Sequence, residues 1–180
     1  MAIRPILYAD TPILRKKSRK VPQVTGEIEE LIQDMFETMH AANGVGLAAV
    51  QIGVPLRVIV VGIPEDVEDP AAGTTLALIN PEIVRASPEM EEGVEGCLSV
   101  PGWAGNVPRH AEILVRGLNR KGKPIRLKAR DYLARVLQHE IDHTEGVLFL
   151  DRATEVWPVE EGEEEQVEAQ AVRARAHRRA

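Results

Sequence analysis

The chain has 180 residues, of which 44% are hydrophobic, 28% are charged and 3% are aromatic, and its formal net charge is −6. This length suits one domain with its own hydrophobic core, and the acidic balance argues against a basic nucleic-acid-binding surface over the whole protein. Cys97 is the only cysteine, which excludes an intramolecular disulfide and favours a reducing cytoplasm. The sequence shows no signal-peptide pattern and no apolar run near the ~20 residues that cross a bilayer.

The first quarter of the chain contains one clear helix signal. Residues 1–24 hold three prolines and a cluster of five basic residues, which we interpret as an irregular, solvated arm, with contact to anionic RNA as the alternative. Over residues 27–42 apolar side chains recur at helical spacing, which predicts an amphipathic helix with Thr25 as its N-cap. Asn43 and Gly44 predict the end of this helix.

A stretch of small residues follows at positions 44–53, and Gln51 is its single polar side chain. Small residues let the backbone approach a ligand closely, but the same composition fits a tight turn packed against the core. A phosphate-binding loop is excluded because the required glycine spacing and the following Lys-Ser/Thr are absent. The composition alone favours function and packing equally.

The remaining elements are predicted from short β-branched runs and a second helical pattern. Strands are expected at residues 57–63, 75–79 and 82–84, with an exposed loop over residues 64–74 and a β-hairpin made by residues 112–118 and 124–127. A helix should follow, with Asp131 as a candidate N-cap and Gly146 at its end. We expect residues 1–157 to form the domain and residues 158–180, rich in acids and then in arginines, to form a solvated tail.

The second helix carries an H-E-x-x-H motif, formed by His139, Glu140 and His143. Histidines four residues apart lie on one helix face and can bind one metal ion, and Glu140 can then move protons to and from water. The alternative is an ordinary amphipathic helix whose histidines are surface or core residues. A catalytic metal needs a third ligand, which could be a carboxylate, another histidine or the thiolate of Cys97, the single cysteine.

Three stretches of the chain resemble the signature motifs of the peptide deformylase family, in the family's order. They are GVGLAAVQ at residues 44–51, EGCLS at residues 95–99 and QHEIDH at residues 138–143, and the resemblance extends over about residues 4–151. It implies an α+β fold, with mostly antiparallel β-sheets wrapped around a central helix that carries the H-E-x-x-H motif. It also implies hydrolysis of the N-formyl group from the N-terminal formyl-methionine of newly synthesised proteins, with release of formate.

The resemblance also implies a role for each matching residue. The three metal ligands would be Cys97, His139 and His143. They would hold one divalent ion, most often Fe²⁺ in this family, and a thiolate with two imidazoles would also accept Zn²⁺, Ni²⁺ or Co²⁺. Glu140 would be the general acid–base, and the oxyanion would be stabilised by Gln51 and the backbone N–H of Leu98.

The substrate-binding residues implied by the resemblance are Val45, Gly46, Glu95 and Arg109, with Arg135 and Val136 in the same region. Glu95 and Asp142 are further expected to orient ligands through hydrogen bonds. The implied partners are formyl-methionyl nascent peptides and the ribosome near its exit tunnel, where the arginines of residues 173–179 are a candidate contact to RNA. No membrane and no DNA are expected as partners.

Two other functions are compatible with parts of this pattern. A thermolysin-like metallopeptidase also uses H-E-x-x-H, but it would take a carboxylate as third ligand and would not need Cys97. An inactive relative could serve as a ribosome-bound binding module. The residues that such a relative would have no reason to keep are all present, namely Gln51, Cys97, His139, Glu140 and His143.

Overall fold

The computed structural model describes residues 1–160 and builds them into three α-helices and eight strands. The helices are α1 (Gly26–Ala41), α2 (Asp131–Thr144) and α3 (Phe149–Arg152), with 3-10 turns at Pro12–Arg15 and Ala49–Ile52. The strands are β1 (Gly46–Ala48), β2 (Val58–Gly62), β3 (Thr75–Ala86), β4 (Met90–Glu95), β5 (Trp103–His110), β6 (Glu112–Leu118), β7 (Pro124–Arg130) and β8 (Glu155–Pro158). Most of the predicted tail lies outside the described residues. Within the described part, no helix is long and apolar enough to cross a membrane.

The strands form two antiparallel sheets, which confirms the expected α+β class. The first sheet has five strands in the order β1-β2-β3-β6-β7, and the second has three in the order β4-β5-β8. Helix α2 contacts four strands of the first sheet and β5 of the second, so it lies where the two sheets meet. Helix α1 contacts β1 and β2.

The two helices differ in how well the sequence predicted their beginnings. Helix α1 begins and ends within one residue of its predicted bounds, and Thr25 occupies the N-cap position without a capping hydrogen bond from its side chain. The prediction of Asp131 as the N-cap of α2 is wrong, because Arg130 precedes the first helical residue. Asp131 N donates to Ala111 O at 3.1 Å, and the chain turns into the helix at Asp131, whose φ of +54° lies in the left-handed region.

The predicted strands are present, but two of them belong together. Strand β2 and the β6–β7 hairpin are confirmed, whereas the strands expected at residues 75–79 and 82–84 form the single strand β3. The β3–β6 register shifts between Ile79 and Glu82, and Asn80 there has a φ of +52°. The Asn80 side chain bonds both backbone polar groups of Val21, at 2.8 and 2.9 Å. Strands β1, β4, β5 and β8 were not predicted.

The N-terminal segment is irregular, as expected, but it is not a free arm. Leu14 is fully buried, and Ser18 N donates to Thr144 O, the last residue of α2, at 2.8 Å. Arg19 forms an isolated bridge with Leu56. The basic side chains of this segment remain exposed while its backbone is bonded to the domain, so the interpretation as a solvated arm is wrong for the backbone.

Candidate metal centre

The fold brings the three predicted metal ligands together. Cys97, His139 and His143 each offer one ligand atom, and these atoms all lie within 4.8 Å of one another. Cys97 Sγ lies 3.4 Å from His143 Nε2. The two imidazole rings follow each other by one turn of α2, with centroids 5.1 Å apart. A thiolate with two imidazoles suits several divalent transition-metal ions, so these residues fit a metal ion.

The two candidate histidine ligands have different surroundings. His139 Nδ1 lies 2.8 Å from Glu95 Oε1, which leaves its Nε2 to face the centre. Burial and the neighbouring His139 hold the pKa of His143 well below its ordinary value, so this ring is neutral and has a free lone pair. Among the described residues, the buried His143 Nδ1 has no hydrogen-bond partner.

Glu140 lies beside the cluster in a water-poor position. Its side chain is buried, and Oε1 lies 4.0 Å from His139 Nε2. Burial raises the pKa of Glu140 to about 7, which permits the carboxyl to take up and release a proton near neutral pH. Gly46 faces this carboxyl so closely that a Cβ there would lie 2.5 Å from Oε1.

Gln51 and Leu98, the predicted oxyanion donors, flank Cys97. Gln51 is buried in the 3-10 turn after β1, and its Oε1 accepts a hydrogen bond from Ala48 N at 2.9 Å. Its Nε2 donates to Ser99 Oγ at 3.0 Å and lies 3.7 Å from Cys97 Sγ. Sequence reasoning missed Ser99 as the partner that orients Gln51. The sequence feature that could have indicated this contact is the hydroxyl of Ser99, two residues after Cys97.

A buried network of charges surrounds Glu95. Both Glu95 oxygens accept hydrogen bonds from Arg109, at 2.8 and 2.9 Å, and Oε2 also accepts from Arg135 at 2.6 Å. Burial raises the pKa of Glu95, but the hydrogen bonds from Arg109 and His139 outweigh this effect and hold it well below its ordinary value. Glu95 is therefore ionised and fixed against His139. The sequence predicted only that Arg135 lies near the pocket. Its hydrogen bonds to Glu95 and to the backbone of β4 and β5 were not predicted.

Asp142 belongs to the outer edge of this network. It accepts a hydrogen bond from Arg109 Nη1 at 2.6 Å and two from Arg152, at 2.6 and 3.0 Å. Asp142 is thus connected to His139 through Arg109 and Glu95. Arg109 is engaged on both sides by these acids and is buried, with 3% of its surface exposed.

A pocket opens next to the ligand cluster, between the β1 loop, β4 and α2. Its lining residues are Gly44, Val45, Gly46, Gln51, Val94, Glu95, Gly96, Cys97, Leu98, Tyr132, Arg135, Val136, His139 and Glu140. Of the four residues predicted to bind substrate, Val45, Gly46 and Glu95 line the pocket, whereas Arg109 lies behind Glu95. Apolar walls beside a few convergent polar groups are typical of a small-ligand site.

Comparison with known proteins places this geometry in one family. A family model described as polypeptide deformylase matches residues 3–158. The peptide deformylase of Thermomicrobium roseum is 52% identical over 153 residues, covering 84% of this chain and 86% of that protein. That of Natranaerobius thermophilus is 47% identical over 161 residues, covering 89% of this chain and 99% of that protein.

Solved structures agree with the sequence comparisons. The crystal structure of peptide deformylase from Ehrlichia chaffeensis matches with a TM-score of 0.81 at 36% identity, covering 99% of both chains. The same organism's enzyme in complex with actinonin matches with a TM-score of 0.81 at 38% identity, covering 97% of this chain and 98% of that one.

Proposed function

The chain belongs to the peptide deformylase family, metalloenzymes that hydrolyse N-formyl groups, and from this premise we propose how its own residues carry out the reaction. The substrate is an N-formyl-methionyl peptide, and the products are formate and a free amino terminus. The observation that carries the assignment of the metal ligands is the convergence of Cys97, His139 and His143 within 4.8 Å beside a pocket.

The three ligands would hold one divalent ion, and we propose Fe²⁺ as the physiological one. The donor set accepts Zn²⁺, Ni²⁺ and Co²⁺ as well, so the choice depends on supply in the cell. When bound, the ion acts as a Lewis acid and lowers the pKa of water. A cytoplasmic location suits both the single thiol and a substrate made at the ribosome.

Glu140 is the proposed general acid–base. Its raised pKa of about 7 lets it accept the proton of the attacking water and then donate it to the departing amine. Its Oε2 has no hydrogen-bond partner among the described residues, so one oxygen is available for this proton. Gly46 leaves the space in which the carboxyl sits.

Gln51 and Leu98 are the proposed donors to the oxyanion that forms on the formyl group. A side-chain amide nitrogen carries two hydrogens, and Ser99 Oγ accepts only one of those of Gln51. The second hydrogen is directed at Cys97 Sγ over a longer distance of 3.7 Å, and it would leave this weak contact to meet the developing charge, together with the backbone N–H of Leu98. Since Oε1 of Gln51 is held by Ala48 N, the amide cannot turn its oxygen toward the oxyanion without losing that bond.

The pocket is the proposed site of the methionine side chain. Apolar side chains of Val45, Leu98, Tyr132 and Val136 line it. Val45 and Gly46 would also offer backbone to the substrate peptide, as a strand does to a neighbouring strand. Glu95, Arg109 and Asp142 are proposed to act on the substrate indirectly, by fixing His139.

The composition of the cluster favours this reaction over that of a thermolysin-like peptidase. Within residues 1–160, the group of possible metal ligands contains a thiol and no carboxylate. Glu95, the acid nearest to His139, contacts the ring nitrogen opposite the centre. These contacts support Cys97, rather than an acid, as the proposed third ligand.

The direct test is release of formate from a formyl-Met peptide, together with metal analysis of protein purified without oxygen. We expect stoichiometric metal and formate release in the wild type, and loss of both after Cys97→Ala. Retention of metal by this variant would favour the peptidase alternative, and a metal-loaded wild type without formate release would favour an inactive binding module.

We propose association with the ribosome as a separate property of residues 158–180, with residues 1–157 sufficient for catalysis. The family match ends at residue 158, and the arginines of residues 173–179 supply charge that could pair with RNA phosphates. Deleting residues 165–180 should weaken sedimentation with ribosomes and reduce its salt dependence, while activity on a short peptide stays unchanged. Unchanged, salt-independent association would contradict the proposal.

A further inference from the structure

Arg135 lies one turn before His139 on α2, and only 3% of its surface is exposed. Its Nη1 donates to Glu95 Oε2 at 2.6 Å and to Val107 O at 2.7 Å, and its Nη2 donates to Glu91 O at 2.7 Å. Burying a guanidinium is costly, and charge-assisted hydrogen bonds of this length offset the cost. A single side chain therefore joins the carboxylate of the metal centre to the backbone of both β4 and β5.

Gly93 is the residue of β4 that makes room for this guanidinium. It pairs with Val107 in the β4–β5 ladder. A Cβ at Gly93 would lie 2.7 Å from Arg135 Cζ and 2.8 Å from its Nε, closer than real side chains approach. Glycine inside a strand weakens the strand, so its presence here has to be explained by what lies against it. Arg135 supplies that explanation.

Arg135 also determines how Glu95 uses its two oxygens. Oε2 accepts hydrogen bonds from Arg135 Nη1 and Arg109 Nε. Oε1 is therefore left to accept from Arg109 Nη2 and to contact His139 Nδ1. Arg109 cannot perform this task alone, since its remaining nitrogen is bonded to Asp142. A rotation of the Glu95 carboxylate would release His139 Nδ1, and Arg135 opposes that rotation.

We propose that Arg135 is a positioning residue of the metal centre, and that the missing side chain of Gly93 in β4 leaves the room that its guanidinium occupies. By holding Glu95, Arg135 keeps His139 Nε2 directed at the site shared with Cys97 and His143. The inference rests on the proposed function, because it assigns Arg135 a part in holding the ion that those three residues bind.

The test is a double-mutant cycle of Arg135→Met and Gly93→Ala in the full-length chain loaded with Co²⁺. Chelator competition gives the metal affinity, and the visible absorption of Co²⁺ reports the ligand geometry independently of turnover. Each single variant should lose ~10–100-fold in metal affinity, the usual effect of removing an outer partner of a ligand. In the double variant the two losses should not add, because Gly93→Ala has no guanidinium left to displace.

Matched controls separate positioning from general destabilisation. Arg116→Met removes an exposed arginine that is paired with Glu82, and Gly26→Ala adds a Cβ where no atom lies within 4 Å. Neither control should change metal affinity or the Co²⁺ spectrum. Arg135→Lys should restore only part of the affinity, since lysine supplies the charge without the forked donors. If Arg135→Met fails to fold, Arg135→Lys replaces it in the cycle.

Two results would overturn the proposal. Additive losses in the double variant would mean that Gly93→Ala acts through something other than Arg135. Unchanged metal affinity with only a lower melting temperature would leave Arg135 as a purely structural residue. Cys97→Ala, measured in the same assay, tests the proposed function separately, because retention of metal by that variant would remove the premise rather than the role of Arg135.

Discussion

Helices α1 and α2 are of similar length but bury different kinds of side chain. The buried residues of α1 are apolar except for Asp34 and Thr38. Those of α2 include six polar or charged residues, namely Arg135, Gln138, His139, Glu140, His143 and Thr144. Both helices pack onto the same five-stranded sheet, so the difference does not come from their depth in the fold.

The difference lies in how the buried polar atoms are satisfied. In α1, Asp34 accepts hydrogen bonds from Ala2 N and Arg4, and Thr38 Oγ1 accepts one from Arg4 N. In α2, Glu140 Oε2 and His143 Nδ1 are buried without a hydrogen-bond partner among the described residues. A buried polar atom without a partner costs stability. The buried polar side chains of α1 are thus paired within the fold, whereas α2 places these two unpaired polar atoms at the candidate metal centre.

The sharpest way to test this contrast is Glu140→Gln. Loss of the proposed general acid–base should lower kcat by ~10²–10⁴-fold. The melting temperature should stay the same or rise, because an unpartnered buried carboxyl is replaced by a neutral amide of the same shape. Formate release and thermal unfolding of the metal-loaded protein measure the two effects. A large fall in stability would show that Glu140 has a structural role that the contrast does not allow.

Gln51→Ala should have the next largest effect. Removal of one oxyanion donor costs ~3–4 kcal/mol of barrier, or ~10²–10³ in kcat, with metal content unchanged. Gln51→Glu is the companion variant, since it keeps an acceptor for Ala48 N and loses the donor. Both variants should be similarly slow. Turnover near that of the wild type would remove Gln51 from the mechanism.

Gly46→Ala should reduce activity by up to ~10²-fold, because small displacements of a reacting group carry penalties of this size. The new Cβ would lie 2.5 Å from Glu140 Oε1 and force the carboxyl to move. Steady-state kinetics should show the loss mainly in kcat. Gly62→Ala is a useful comparison, because its Cβ would meet the flexible end of Met39 instead. Equal losses in both would exclude a specific effect on Glu140.

Asp34→Asn should show the opposite behaviour to Glu140→Gln. It removes an ion pair with Arg4, whose side chain is 36% exposed, so we expect a modest loss of ~1–2 kcal/mol in the free energy of unfolding. Formate release by the folded protein should not change. Urea titration and the peptide assay measure the two quantities, and an activity loss would show that α1 reaches the site after all.

The smallest expected effect concerns pH. The hydrogen bond from Arg4 outweighs burial and lowers the pKa of Asp34 below its ordinary value of 3.8. A carboxyl with a lowered folded-state pKa stabilises the fold above the unfolded pKa, and the contribution is lost as the pH falls through the folded pKa. The stability difference between the wild type and Asp34→Asn should thus be constant near neutrality and shrink below about pH 4. A stability difference between the two proteins that stays constant down to about pH 2 would contradict this prediction.

The sequence predicted those parts of the fold that depend on local pattern. Helix α1, β2 and the β6–β7 hairpin follow from apolar periodicity and turn residues, and the class follows from the family resemblance. Strands β4 and β5 were not predicted because they contain Glu91, Gly93 and Pro108, residue types that are unfavourable in strands. These strands pair with each other and accept hydrogen bonds from Arg135, and no local sequence pattern contains such long-range contacts.

In the candidate site, too, local motifs predicted some features and long-range contacts were not predicted. Motifs and resemblance were sufficient to name Cys97, His139 and His143, and the structure brings their ligand atoms together. The hydrogen bonds from Gln51 to Ser99 and from Arg135 to Glu95 could not be predicted, since they join residues 48 and 40 positions apart in the chain. Such contacts exist only once both sheets are in place.

The N-terminal segment has a consequence for the order in which the domain folds. Gly146, which follows α2, has a φ of +75°, and a Cβ there would lie 2.5 Å from Arg15 O. Arg15 also pairs with Asp151, 136 positions later in the chain. Contacts of such sequence separation form late, because loop closure is entropically costly. The Arg15–Asp151 pair can form only after residue 151 has been synthesised, so the contact between the N-terminal segment and the end of α2 is completed late in folding.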